Sequence, residues 1–143
     1  MVALRLALLD EHRDNPVYQR QRADAPARAR RLFAAQLDSA HETTFLAEYR
    51  GAAVGILRCV SSQGSPLLEP PGYCYISSVY VAPDARRTGV LRALFDRAVQ
   101  WSRERGFTEM RLHSVAGHNV SNAAWDAMGF EIVEYLRVRR VEP

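Results

Sequence analysis

Six consecutive residues, Arg86-Arg87-Thr88-Gly89-Val90-Leu91, bring charge, a hydroxyl and a glycine to the point where a strand should give way to a helix. A helix starting near Gly89 leaves its first N–H groups without intrahelical acceptors, and its macrodipole makes that end positive. Glycine lets a ligand come close to the backbone, and two guanidinium groups and a threonine hydroxyl add donors. Such a turn suits a phosphate or pyrophosphate. It is not a nucleotide P-loop, because the G-K-[ST] ending is absent. Read alone, an ordinary surface turn with solvated arginines is the better account, so the neighbouring elements must decide.

The strand feeding the turn is predicted over Tyr73–Val81. Its apolar residues Ile76, Val79 and Val81 include an odd interval, whereas one face of a regular strand demands even spacing. A β-bulge near Ser77-Ser78 brings Ile76 and Val79 to the same side; a strand buried on both faces is the alternative. Pro83 stops the strand and Asp84–Thr88 form a polar turn. A helix follows, with Leu91, Leu94, Phe95, Ala98 and Trp101-Ser102 inward and Gly106 at its end. Glu109–Ser114 reads as a strand, Asn119–Met128 as a short helix broken by Gly129, and Glu131–Val141 as a closing strand or strand pair.

Upstream, Val2, Leu4, Leu6 and Leu8 alternate with Ala3, Arg5 and Ala7, which predicts a first strand. Residues 10–26 are polar and interrupted by Pro16. Asp24 suits an N-cap, with Pro26 in the first turn of a helix that repeats Leu32, Phe33, Gln36, Leu37 and Ala40 at helical spacing. Thr43–Tyr49 and Ala52–Val60 form a hairpin about Arg50-Gly51. Ser61–Gly72, with three prolines, is a surface loop long enough to meet a substrate. The alternation of elements implies an α+β fold with a mixed sheet and helices on both faces.

The 143 residues, 48% hydrophobic and 24% charged, suit a single domain over 1–143. No apolar run approaches the roughly 18 residues of a membrane span, so no membrane partner is expected. The first residues are too polar for a secretory signal, and two cysteines, Cys59 and Cys74, suit free thiols, so a cytoplasmic setting is expected. All 19 basic side chains are arginine, as a GC-rich genome would favour, and the net charge is +3. That is too small to point to nucleic acid, whose partners carry a clustered basic face.

Val81-x-Pro83 followed by Arg86-x-x-Gly89 resembles motif A of the GNAT (Gcn5-related) N-acetyltransferase superfamily, with Leu91 in place of the usual final Gly or Ala. Leu112-x-Ser114, leading to Trp125-Asp126-Ala127-Met128-Gly129-Phe130, is similar to that family's second conserved stretch. The likeness runs from about Tyr73 to Phe130. It implies a three-layer α/β/α arrangement, a mostly antiparallel sheet of about six or seven strands, and a bulged, splayed central strand.

The resemblance further implies an N-acyltransferase that takes acetyl-CoA or another acyl-CoA as co-substrate, with no metal. The acceptor is a primary amine of a small molecule or peptide, and transfer is direct. Arg86, Arg87, Thr88, Gly89, Val90, Leu91 and Arg92 are then cofactor-binding, with Leu91 pointing its side chain away. Val79, Tyr80 and Val81 pair with the pantetheine arm, and the Val79 N–H is a candidate oxyanion donor. His118, where the family has an asparagine, and Asn119 are further cofactor candidates. Trp125 falls where the family places a proton-donating tyrosine, and an indole cannot act as an acid. Candidates for the general base are His113, Tyr75, Tyr80, Glu69 or a water chain; Cys74 as a nucleophile has no evident base beside it.

Two other classes remain in view: a non-catalytic acyl-CoA sensor, motivated by Trp125, and an RNA-modifying acyltransferase that uses the arginines. Ser114, Ser121 and Gly129-Phe130 also resemble aminoglycoside 6′-N-acetyltransferases, which need an acidic cleft; Glu42, Glu48 and Glu69 are the available carboxylates. Dimers are common in the family, often through terminal strands, so a homodimer is a further expectation.

Overall fold

The structure is a computed structural model that describes residues 1–142. Four strands form one sheet in the order β1-β2-β3-β4: Glu42–Tyr49, Ala52–Gln63, Gly72–Val81 and Met110–Leu112. The first three are antiparallel neighbours, and β4 runs parallel to β3. Helices α1 (Val2–Glu11), α2 (Ala25–Leu37), α3 (Val90–Glu104) and α4 (Asn119–Ala127) complete the fold.

The sheet has two covered faces. On one, Leu57 and Cys59 of β2 and Cys74 and Ile76 of β3 pack under Leu94, Phe95, Ala98 and Trp101 of α3. On the other, Ile56 packs with Ala29 and Phe33 of α2, flanked by Met1, Val2, Leu4 and Tyr80. Ile56 and Leu57 are both fully buried, on opposite faces, as alternation along a central strand requires. Where α3 crosses β2 the approach is close. A Cβ on Gly55 would stand 2.9 Å from Val90 Cγ1 and 3.1 Å from Leu94 Cδ1, so glycine here sets how near the first turn of α3 lies to the sheet.

The β1–β2 hairpin forms about Arg50-Gly51, both at positive φ (51° and 79°), the combination that a tight two-residue hairpin needs. β2 continues to Gln63, which shortens the following loop to residues 64–71.

Among the described residues the sheet has four strands rather than six or seven, for two reasons. The first segment is helical: Val2 is its one β-branched residue, and the run of Ala, Leu and Arg favours helix over the strand its alternation suggests. The closing segment 131–142 forms no regular element, although it is rich in β-prone residues. A strand needs a ladder partner, and the adjacent candidate, β4, is three residues long, shorter than the predicted Glu109–Ser114. In α2 the inner face is Ala29 and Phe33; Leu32 and Leu37 are 54% and 64% exposed, contrary to the predicted stripe. Asp24 stands at the N-cap with Pro26 in the first turn, but its carboxylate pairs with Arg22 and Arg28 instead of a backbone N–H.

Candidate active site

The bulge expected in β3 is present. Arg58 pairs with Ser77 and Ile56 with Tyr80, so two steps on β2 face three on β3, and Ser78 takes φ 54°. The extra residue places Ile76, Val79 and Val81 on the α3 side, and Tyr80 opposite. Ser78 and Val79 therefore lie outside the β2 ladder. On the other edge, β4 pairs only with Cys74, Tyr75 and Ile76. Past Ile76 the two parallel strands part, leaving the backbone around Val79 without a β4 neighbour.

After β3 the chain makes a short 3₁₀ turn at Pro83–Ala85 and reaches Gly89, the N-cap of α3, at φ 88°. The first bond of this helix runs from Ala93 N–H to Gly89 O at 3.0 Å. The N–H groups of Gly89, Val90, Leu91 and Arg92 thus have no intrahelical acceptor, and a Cβ on Gly89 would meet nothing within 4 Å. The helix end is open to an anion. Leu91 packs against the main core, and Arg87, Thr88 and Arg92 are exposed. The Thr88 hydroxyl is occupied, donating to Ala85 O at 2.5 Å, so Thr88 braces the turn and offers its backbone outward.

Arg86 is also engaged. Its Nε donates to Val81 O at 2.9 Å and its Nη2 to Glu11 Oε2 at 2.6 Å, with the guanidinium over the Tyr80 ring. Glu11 in turn faces His118 Nε2 at 3.5 Å. His118 caps α4: its Nδ1 accepts from Ser121 N–H at 3.3 Å. One carboxylate at the end of α1 therefore ties the anion turn to the start of α4. Asn119 is exposed on the first turn of α4.

A cleft of about 210 Å³ opens where β3 and β4 part. Ser77, Ser78 and Val79 form one wall, His113, Ser114 and Trp125 another, and α1 closes the third with Arg5, Leu8 and His12. Tyr75 Oη lies 2.7 Å from His113 Nδ1. Burial, and then Tyr18 and Tyr73 beside it, raises the Tyr75 hydroxyl above its ordinary value, so it stays protonated near neutral pH. Burial, followed by the charge of His118, lowers His12 below the usual imidazole value. Of the residues weighed as bases, His113 and Tyr75 meet in this cleft. The Tyr80 side chain turns to the α2 face, and Glu69 lies in the 64–71 loop; neither lines it. Glu42 is bound to Arg58, and Glu48 is also outside the cleft.

The sequence pattern of the acetyltransferase (GNAT) family matches residues 5–130. The chain belongs to that family. An aminoglycoside N(6′)-acetyltransferase type 1 from Klebsiella aerogenes is 38% identical over 73 residues, which make up 47% of this chain and 48% of that protein. The chain thus spans about half the length of this curated relative. Among solved structures, the apo aminoglycoside 6′-N-acetyltransferase AAC(6′)-IG from Acinetobacter haemolyticus superposes with a TM-score of 0.72 at 20% identity, covering 85% of both chains. A predicted acetyltransferase from Clostridium acetobutylicum, solved with acetyl-CoA, gives 0.77 at 18% identity, covering 96% of this chain and 86% of that one. These likenesses establish the fold.

In GNAT terms, Gly129-Phe130 has a clear physical function. Gly129 (φ 87°) and Phe130 close α4 by donating to Asp126 O and Trp125 O, and the Phe130 ring packs edge-on against both Phe95 and Trp125. The motif thereby docks α4 onto α3. The wall formed by Arg5, Leu8 and Leu9 of α1 and by His12 just after it is what sequence reasoning missed. Read as a helix, residues 5, 8 or 9, and 12 share one face, and that spacing was the available signal.

Proposed function

We propose that this protein moves an acetyl group from acetyl-CoA to the primary amine of a small molecule or peptide by direct transfer. The observation that supports it best is the combination of a bulged, parted β3 edge at Ser78-Val79 with an open helix end at Gly89 a few residues later. These suit an extended amide arm and a pyrophosphate respectively. The N–H groups of Arg87 through Arg92 would hold the pyrophosphate, with Arg86 bracing the turn. Val79, Tyr80 and Val81 would pair with the arm. Acetyl-CoA, when bound, supplies an activated thioester. The Val79 N–H donates to its carbonyl oxygen as negative charge develops there, a contribution of several kcal/mol when preorganised.

His113 takes the proton of the attacking amine at Nε2, with Nδ1–H held by Tyr75 Oη. Trp125 offers an indole N–H but no acidic proton. A thiol leaving group with a pKa of about 8.5 needs no strong acid, so water suffices for its protonation. His118 and Asn119 border the cofactor site through α4. The buried free thiols of Cys59 and Cys74 fit a reducing compartment such as the cytoplasm. Among the described residues no helix is long and apolar enough to cross a membrane.

Acetyl-CoA should raise the melting temperature, and added primary amines should then release free CoA thiol. Absence of acyl-CoA binding sinks this reading. Binding without turnover across an amine panel selects a sensor role instead, the reading that Trp125 favours.

A further inference from the structure

The acceptor side of the cleft carries a charge that suggests a substrate class. Among the described residues, none that line it carries a carboxylate. The three glutamates that an acidic cleft would require are placed elsewhere, with Glu42 neutralising Arg58 across β1 and β2. Arg5 reaches the cleft from α1, half-buried beside Tyr18, Tyr75 and Arg58. Its guanidinium makes no hydrogen bond or ion pair with any described side chain, and burial pulls it below its ordinary value. A half-buried cation without a counter-charge is a cost that an arriving anion offsets.

We propose that this cleft takes a small amine that also carries a carboxylate, of the amino-acid or short-peptide kind, with the Arg5 guanidinium anchoring the carboxylate. This rests on the acetyl-transfer reading above. The charge count favours one negative charge over two: Arg58 is already paired, and His12 is held towards its neutral form by burial and by His118. A single planar fork matches a carboxylate in two parallel bonds. The Tyr18 and Tyr75 hydroxyls beside Arg5 offer further donors. Arg5 is also in the wrong place to clamp the pyrophosphate. Glu11, which contacts the turn through Arg86, is six residues further along α1, or about 9 Å at the helical rise. Polycationic aminosugars would meet the like charge of Arg5 and find no carboxylate to receive them.

The test uses matched amines: α-amino acids and dipeptides, the same compounds as C-terminal amides, and an aminoglycoside. Turnover is read as CoA thiol release, and binding to the CoA-loaded protein is read by calorimetry. The free acids should bind and react with a KM at least about tenfold below their amides, and the aminoglycoside should be the poorest acceptor. Arg5→Gln should raise KM for the acids by at least about tenfold, remove the acid-over-amide preference, and leave kcat and acetyl-CoA affinity near wild type. Arg5→Lys should restore part of the preference, which separates a charge role from a packing one.

Equal use of acids and amides, a preference for the aminoglycoside, or an Arg5→Gln loss that falls equally on both sets overturns the proposal while leaving acetyl transfer intact. Arg5-dependent binding of acids without turnover supports the anchor and removes the transfer reading instead. No binding of either set overturns the anchor.

Discussion

Glu11 is the residue on which the site's parts converge. It accepts from Arg86 of the anion turn and faces His118 at the start of α4, and its own side chain is three-quarters buried. Glu11→Ala should therefore weaken acetyl-CoA binding by about tenfold, roughly 1.4 kcal/mol, through loss of order in the turn. Calorimetry with acetyl-CoA checks this, and a Glu11→Ala Kd equal to wild type would contradict it. The Tyr75–His113 pair makes a different prediction. His113→Gln should lower kcat by about a hundredfold, the lower end for losing a general base, with little change in acetyl-CoA affinity. Tyr75→Phe should cost less, since it removes only the hydroxyl that orients the His113 ring.

His12 is also legible in solution. Its pKa is depressed in the folded state, first by desolvation and then by the charge of His118. The unfolded chain therefore binds more protons between the ordinary value near 6.5 and the lower folded value. Stability from this group is present above pH 6.5 and is lost as the pH falls through that window. Melting temperatures at pH 7.5 and 5.5 should differ less in His12→Gln than in wild type.

At the scale of elements, the position of the α3 end depends on Gly55. Enlarging it drives Val90 and Leu94 outward, since a bare Cβ already approaches them to 2.9 and 3.1 Å. Gly55→Val should cost about 1–3 kcal/mol in chemical denaturation, the usual range for overpacking. It should also weaken acetyl-CoA binding, because the donors of the open helix end move with Val90. A destabilised variant with unchanged affinity would show that the helix end is positioned from elsewhere.

The elements also show what could be read beforehand. Ile76, Val79 and Val81 break the period of two, which left the bulge level with a strand buried on both faces until the motif likeness favoured it; in the structure the core claims all three. The α3 stripe was legible because a long amphipathic helix repeats its signal over four turns. The α1 helix was not, since Val2, Leu4, Leu6 and Leu8 alternate as in a strand, and the helix-favouring composition shows its weight only with the packing against β3 and α2. The wall that contains Arg5 was lost with it. Trp125 could be placed near the site by motif, but the Tyr75–His113 contact depends on the pairing of β3 with β4 and no linear spacing reports it.

For the whole molecule, the segment after Phe130 is the unfinished part of the design. Ile132, Val133, Tyr135, Leu136, Val138 and Val141 are all more than half exposed, a density of β-prone apolar surface that a lone chain rarely leaves in water. Among the described residues β4 pairs with β3 alone, so its other edge is also unpaired. A second copy satisfies both needs, with the segment of one protomer completing the sheet or covering the partner's segment. We propose a homodimer on this ground. Sedimentation equilibrium should find a dimer at micromolar concentration, and the double substitution Val133→Asp with Leu136→Asp should give a monomer. The anion turn and the bulge lie within residues 77–92, away from this segment, so the monomer should keep acetyl-CoA affinity within about threefold of wild type, under 1 kcal/mol. A wild-type monomer under these conditions would mean that the exposed segment serves another partner, and a monomeric variant that loses the cofactor would mean that the dimer shapes the site.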